Sequence, residues 1–390
     1  MPYGLNNIRG GTKRFFYSAA PEGTTVAGWG ATPATLDRVL HPSAGYVPIG
    51  SAEYELLENA NSAQGQGERA SRLTKGSHKK IAPVEFWFTP EAMNRLMSSL
   101  GGSDTMATIE TTGRSHTIAP TTAPVPFSIE EHLLGSAYTT LAAGYAGVWC
   151  QNVRFGWSKA APFATCGADL VLSRVSSTAV SDLSGTDATE NQPNDAGFHP
   201  TKFRLFIAPT TGNEHTSAFD GTFGVPTTQG IGWASDLTNG NEIGLYCDSV
   251  NVEIMSGVDL DDTMRAGFSS GSGSGYGKPF ALDRNARITL NCDALSTAMM
   301  AGFQNYFATF ADASQQSHTI EICAVGDTLV GTTYYGAVGI VFHACRIDSI
   351  VKPDAGLGLS KMSISFSLVQ PSTGNLWDYI GYDDIDQDYA

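Results

Sequence analysis

Residues 361–368 alternate without a break: Met362, Ile364, Phe366 and Leu368 are apolar, while Ser363, Ser365 and Ser367 are polar. A period of two predicts a strand with one buried face. Phe86 and Phe88, and again Ile288 and Leu290, mark shorter strands in the same way. Directly after Phe88 the period changes. Met93, Leu96, Met97 and Leu100 fall at i, i+3, i+4 and i+7, behind a Thr89 suited to cap a helix and a Glu91 suited to its positive end. The chain repeats this arrangement 202 residues later, with Asn291 as cap, Asp293 behind it, and Leu295, Ala298, Met299 and Gly302 on the helical face.

The same offset carries the tetrapeptide Ser115-His116-Thr117-Ile118 onto Ser317-His318-Thr319-Ile320. Further on, AGVWCQNVRFGW (146–157) answers VFHACRIDSIV (341–351), which places Cys150 against Cys345 at a shorter offset of about 195. A turn and a last strand follow each, ADLVLSRV in one case and KMSISFSLV in the other. Upstream, the short strands EYELL (53–57) and VNVEIM (250–255) lead into long polar, glycine-containing loops at 58–80 and 256–278. The pattern predicts a mainly β chain with minor α, built as two tandem β-sandwich or barrel-like domains, each flanked by one short helix.

The expected boundaries are an N-terminal arm (1–50), a first domain (51–175), a linker or insertion (176–246), a second domain (247–371) and an acidic tail (372–390). The linker is rich in Ser, Thr, Asp, Asn and Gly, with one strand-like island, KFRLFIA (202–208), and a hairpin signal at Asn239-Gly240. The tail, DYIGYDDIDQDYA, carries five Asp and no basic residue, and reads as a solvated segment, with an ordered arm on a neighbouring subunit as the alternative.

Composition narrows the function. The 390-residue chain is long enough for two cores, only 16% of it is charged, and its net charge is −15. That balance argues against a surface that grips nucleic acid, but not against one that nucleic acid must slide past. Neither a signal peptide nor an apolar run of transmembrane length is expected, and so no membrane partner. Six scattered cysteines without C-x-x-C spacing read as free, mostly buried thiols of a reducing compartment.

Candidate chemistry is sparse. Gly267-Phe268-Ser269-Ser270-Gly271 fits G-x-S-x-G, but it runs into GSGSGYG, where the strand-turn-helix that would strain a catalytic Ser269 is missing. Gly277-Lys278 is followed by Pro279, not by the hydroxyl residue of a phosphate-binding loop. His116 and His318 lack acids at matching places in their flanks and read as strand histidines bonded to backbone or solvent. No catalytic, metal or cofactor site is expected, and the chain reads as a non-enzyme. Trp29, Trp233 and Trp377 stand in loop-like contexts and would serve a rival, carbohydrate-binding reading.

EFWFTPEAMNRLM, SHTIAPTTAPVPFSIEE and YAGVWCQNVRFGWS in the first copy, and RITLNCDAL, SHTIEI and GIVFHACRIDSIVKPDAG in the second, resemble the tail tube protein of long-tailed bacteriophages. The likeness spans roughly 51–175 and 247–371. It implies a small β-sandwich that closes into six-fold rings, stacked into a hollow tube for DNA. A chain with two such domains would form trimeric rings of pseudo-six-fold symmetry with an acidic lumen. It would be assembled in the host cytoplasm and placed in the virion tail, with terminator, baseplate or tip, and tape-measure proteins as partners. Double-stranded DNA would pass without specific binding. Loops at 58–80 and 256–278 would reach a neighbouring subunit or ring, which makes Arg69, Arg72, Lys75, Lys79, Lys80, Arg265 and Lys278 candidate contact residues. A carbohydrate-binding virion sandwich and a tail terminator or neck component are the alternatives.

Overall fold

The computed structural model describes residues 13–23, 29, 34, 36–47, 49, 56–58, 73–75, 81–121, 123–135, 138–176, 193, 197–208, 241–242, 247–258, 284–293, 318–351, 361–369 and 375–389. The protein is mainly β, with a sandwich-like, largely antiparallel sheet. The first half runs β1 (Lys13–Tyr17), β2 (Arg38–Leu40), β3 (Leu56–Glu58), β4 (Leu73–Lys75) and β5 (Ile81–Trp87), then helix α1 (Pro90–Ser99). It continues through β6 (Gly102–Thr108), β7 (Arg114–Pro120), β8 (Phe127–Gly135), β9 (Tyr138–Ser158), β10 (Thr165–Val171) and β11 (Arg174–Ser176). The second half runs β12 (Phe203–Ala208), β13 (Asn241–Glu242), β14 (Cys247–Met255) and β15 (Asn285–Asp293), then β16 (His318–Leu329), β17 (Tyr335–Val351), β18 (Lys361–Leu368) and β19 (Trp377–Asp383). Among the described residues β3 and β4 pair with each other alone, and the other strands join into one sheet.

One pairing scheme occurs twice. In the first half a cross-strand row runs Tyr17–Ile129–Tyr145–Val175 over β1, β8, β9 and β11. In the second the row is Ile207–Ile320–Phe342–Trp377 over β12, β16, β17 and β19. A second pair of rows, Ala82–Leu170–Cys150 and Ile288–Phe366–Ile347, joins β5, β10 and β9 in one half and β15, β18 and β17 in the other. The irregularities match as well. Register slips between Phe127 and Ile129 in one half and between His318 and Ile320 in the other, then again at Asp169/Leu170 and at Ile347/Ser349. Bulges bend a strand and raise its twist, which lets β9 and β17 each serve two sets of neighbours along their length.

These registers correct the sequence alignment. The first Ser-His-Thr-Ile lies on β7 and the second enters β16, whose counterpart is β8, so Phe127, not His116, stands where His318 stands. Likewise Val148, not Cys150, answers Cys345. An alternating tetrapeptide fits the pleat of any half-buried strand and therefore carries no register of its own.

The segments read as arm and linker also supply strands. Arg14-Phe15-Phe16-Tyr17 and Arg204-Leu205-Phe206-Ile207 line the outer edges of β8 and β16, and each is backed by a short strand, β2 or β13. Both follow the aromatic and β-branched preference of strands. The C-terminal segment is solvated only in part: β19 lies between β17 and β7 with all its residues buried, while Asp384, Asp386 and Asp388 beyond it are exposed. The second helix expected after Asn291 lies outside the described residues.

α1 forms as its sequence predicts. Thr89 Oγ1 accepts the Ala92 N–H at 3.3 Å, Pro90 takes the first turn, and Glu91 sits at the positive end. Met93, Leu96, Met97 and Leu100 join a core that is continuous from Phe15 to Tyr389 through both halves. Each such side chain contributes about 1.5–3 kcal/mol by leaving water. The polar side is buried too. Arg95 Nη1 donates to Ala19 O at 3.0 Å, Ser98 Oγ to Tyr389 O at 2.9 Å, and Cys150 N donates to Ser99 Oγ at 3.2 Å. The helix therefore ties the chain's early and late strands together, where an amphipathic reading expected a wet face.

Candidate functional site

Two features of the sheet bear on function: a charged face and a difference in strand pairing between the halves. Along one face the alternation produces an apolar row, Phe86–Cys166–Phe155–Val252–Ile288–Phe366–Ile347, across seven strands of both halves. The neighbouring row points the other way and reads Glu85–Gly167–Arg154–Glu253–Arg287–Ser367–Arg346. Opposite charges on adjacent strands are mutually favourable, so the row stitches the two halves together. Arg154 Nη2 meets Asp169 Oδ1 at 2.7 Å, and Asn152 Nδ2 donates to Asp169 at 2.7 Å and to Glu253 at 3.1 Å.

Part of this face sinks into a groove of about 410 Å³ lined by Val47, Glu85, Arg154, Gly156, Gly167 and Glu253, among others. Two glycines make its floor. A Cβ on Gly156 would stand 2.5 Å from Val250 O, and one on Gly167 would stand 2.3 Å from Val84 O. Around the groove, acids and arginines balance each other. The acidity expected of a lumen wall is not gathered on this row.

The edges differ between the halves. From Asn152 to Ser158 the outer side of β9 is covered by β14, and β14 in turn covers β15. At β17 the matching residues that are described, Ser349, Ile350 and Val351, pair with β18. Among the described residues, β5, the counterpart of β15, is met on its outer side at one end: Pro42 bridges Phe86, Ser43 N donates to Glu85 O at 3.0 Å, and Trp87 N donates to His41 O at 3.0 Å.

His116 has a different place from the one its sequence suggests. Its Nδ1 is 2.8 Å from Asp104 Oδ2 on β6 and its Nε2 is 3.0 Å from Asp383 Oδ1 on β19, and all three side chains are fully buried. Burial pulls the imidazole pKa down, but Asp383 and Asp104 outweigh it and raise it to about 10, so the ring is a cation at neutral pH. Asp383 is correspondingly held below the usual carboxylate range: burial pushes it up, and His116 with the Ile385 N–H and Asn94 amide pulls it further down. Asn94 and the Tyr389 hydroxyl donate to Asp383 Oδ2 at 2.8 and 3.0 Å. Every heteroatom of this pair faces a protein partner, so the cluster works as a clasp on the C-terminal segment. A second clasp joins His343 Nε2 to Asp378 Oδ2 at 2.6 Å between β17 and β19. Sequence reading missed both because the acids lie far along the chain in what read as a tail.

Of the candidate contact residues, Lys75 lies on β4, while Arg69, Arg72, Lys79, Lys80, Arg265 and Lys278 fall outside the described residues, as do Ser269 and Trp233. Trp29 and Trp377 are 0% exposed, which corrects their reading as loop residues able to stack on a sugar. Trp377 is the first residue of β19, and Trp29 packs with Trp149, Val171 and Val258. All six cysteines are buried and unpaired by disulfide, with burial pushing the Cys150 thiol up to about 12. Among the described residues no cluster of three or more His, Cys, Asp or Glu could hold a metal, and no helix is long and apolar enough to cross a membrane. The chain matches no family model, and no curated protein matches it significantly in sequence.

Proposed function

We propose that this chain is a tail tube subunit of a long-tailed bacteriophage: a duplicated β-sandwich that forms trimeric, pseudo-hexameric rings, which stack into a conduit for DNA. The observation that carries the reading is the doubled pairing scheme, down to its bulges, within one continuous sheet. Two like units fused head to tail present unlike surfaces at their two ends, and such heterologous contacts close into rings when the rotation permits. Three chains of two units then supply six positions.

The lumen would be net acidic, from residues beyond the balanced row of Glu85, Arg154, Glu253 and Arg287. At a net charge of −15 the chain would repel phosphates and avoid the counterion release that makes DNA stick. The protein is read as non-enzymatic, located in the virion tail after assembly in the host cytoplasm, with terminator, tip and tape-measure proteins as neighbours. Burial of Trp29 and Trp377 takes support from the carbohydrate-binding alternative.

Electron microscopy of the purified protein is the test. Stacked rings or tubes with three-fold symmetry are expected. Rings that never stack would favour a terminator or neck component, and a monodisperse monomer at high concentration would overturn the proposal.

A further inference from the structure

Cys247 and Cys292 stand directly across from each other where β14 pairs with β15, and their sulfurs meet at 3.0 Å. Directly opposed residues of an antiparallel pair have Cα atoms about 4.5 or 5.5 Å apart, and both spacings fall within the roughly 4.4–6.8 Å that a disulfide spans. The other cysteines have different register partners. Cys150 faces Leu170, Cys166 lies between Phe86 and Phe155, Cys323 between Arg204 and Gly339, and Cys345 between His318 and Leu368. Nor does the duplication account for the pair. By the matched registers Cys292 stands where the first half has Phe86, and the residue bridged to Phe86 is Pro42.

The backbone holds both thiols in place. Register slips between Cys247 and Ser249, and there the Asp248 carbonyl accepts the Lys159 N–H at 2.9 Å while the Asp248 carboxylate meets Lys159 and Lys361. Next to Cys292, Asn291 Nδ2 donates to Ser249 Oγ at 2.8 Å. Cys292 is 1% exposed and Cys247 8%, so an oxidant reaches Cys247 first. Hydrogen bonding to Cys292, and then burial, hold the Cys247 thiol above its ordinary range. Because the thiolate is the attacking form, oxidation is slow, which suits a bond made once and kept better than a rapid sensor.

We infer that Cys247 and Cys292 form an intrachain disulfide when the folded chain meets an oxidant of the peroxide class, locking β14 onto β15. The Cys247 sulfur attacks one peroxide oxygen and the O–O bond breaks, leaving a sulfenic acid and one water. The Cys292 sulfur then attacks the Cys247 sulfur. The S–S bond forms, the S–O bond breaks, and the hydroxyl leaves with the Cys292 proton as a second water. Two thiols and one peroxide thus give one disulfide and two waters, with two electrons passing from sulfur to oxygen. The bond would close a loop across a separation of 45 residues that includes the polar stretch 256–278, and longer loops gain more from closure. Since β14 pairs with β9 as well as β15, the staple sits at one end of the seam between the halves. The inference is independent of the tail-tube reading.

The test uses the full chain, purified with a reductant, freed of it and treated with hydrogen peroxide. Two of the six thiols should become resistant to alkylation, and peptide mapping should find Cys247 linked to Cys292, two hydrogens lighter than the separate peptides and released by dithiothreitol. The melting temperature should rise by about 5 °C over that of Cys247→Ser treated alike, a comparison in which methionine oxidation is common to both. Cys292→Ala is the second variant, and neither variant should yield the linked peptide or the rise. The map of the parent decides the bond even where a variant does not fold. Six thiols that still alkylate after treatment, a Cys247 carried on to sulfinic acid, or links through other cysteines would overturn the site. A linked peptide without any rise in melting temperature would overturn the locking of β14.

Discussion

The two copies of Ser-His-Thr-Ile meet opposite fates. His116, on β7, is a buried cation held between Asp104 and Asp383 and packed edge-on to Tyr389 at 4.8 Å. His318, at the start of β16, pairs with Cys345 and lies edge-on to Phe366 at 6.3 Å, on a site where the other half carries Phe127. Identical residues therefore do unlike work: one neutralises two carboxylates, and the other packs edge-on to Phe366 at a bulge. Neighbours from distant strands decide what a side chain is for, and four shared letters do not.

Making the same replacement at both positions is the sharpest way to break this contrast. His116→Phe strands two buried carboxylates without their cation and is expected to cost about 3–5 kcal/mol in denaturant unfolding. His318→Phe restores the residue type of the other half, removes no pair of buried carboxylate contacts, and should cost clearly less than His116→Phe. Equal losses at the two sites would abolish the distinction.

Titration sharpens it further. The His116 pKa is raised, so its contribution is fully present below the unfolded value near 6.5 and is lost as pH climbs toward about 10. Asp383 is depressed, so its share is present above the ordinary carboxylate range and is lost as pH falls through its folded value. Stability should form a plateau from about pH 4 to 6.5 with a long alkaline decline of a few kcal/mol. His116→Phe should flatten that decline and His318→Phe should keep it, as melting curves across pH would show.

Local signals were legible in the sequence, and long-range ones were not. The alternation of Met362 to Leu368 and the Thr89 cap identify their elements because strand and helix periods, and capping bonds, act within a few residues. The register of the two halves was misread because bulges change the count of residues between strands, and alignment by letters cannot see them. A usable signal did exist at the other end of each half, in Arg14-Phe15-Phe16-Tyr17 and Arg204-Leu205-Phe206-Ile207. The acidic C-terminal run misled for a plainer reason. Asp378 and Asp383 look solvated until their partners His343 and His116 are brought in from other strands. The groove and the charged row are cross-strand properties, and no window of sequence contains them.

The position of β19 also has a consequence for synthesis. Residues 377–383 emerge from the ribosome after every other strand described here, yet they sit between β17 and β7 and fill the place that joins the two halves. Until then β7 waits with an unsealed side, and Gly381, whose missing Cβ would stand 1.8 Å from Asn94 Oδ1, has not yet docked on α1. A nascent chain is thus held in a sticky, incomplete state in which premature pairing with a sister chain is the main hazard. Placing the closing strand so late makes a finished fold, and any assembly that depends on it, a property of chains whose translation has passed residue 383.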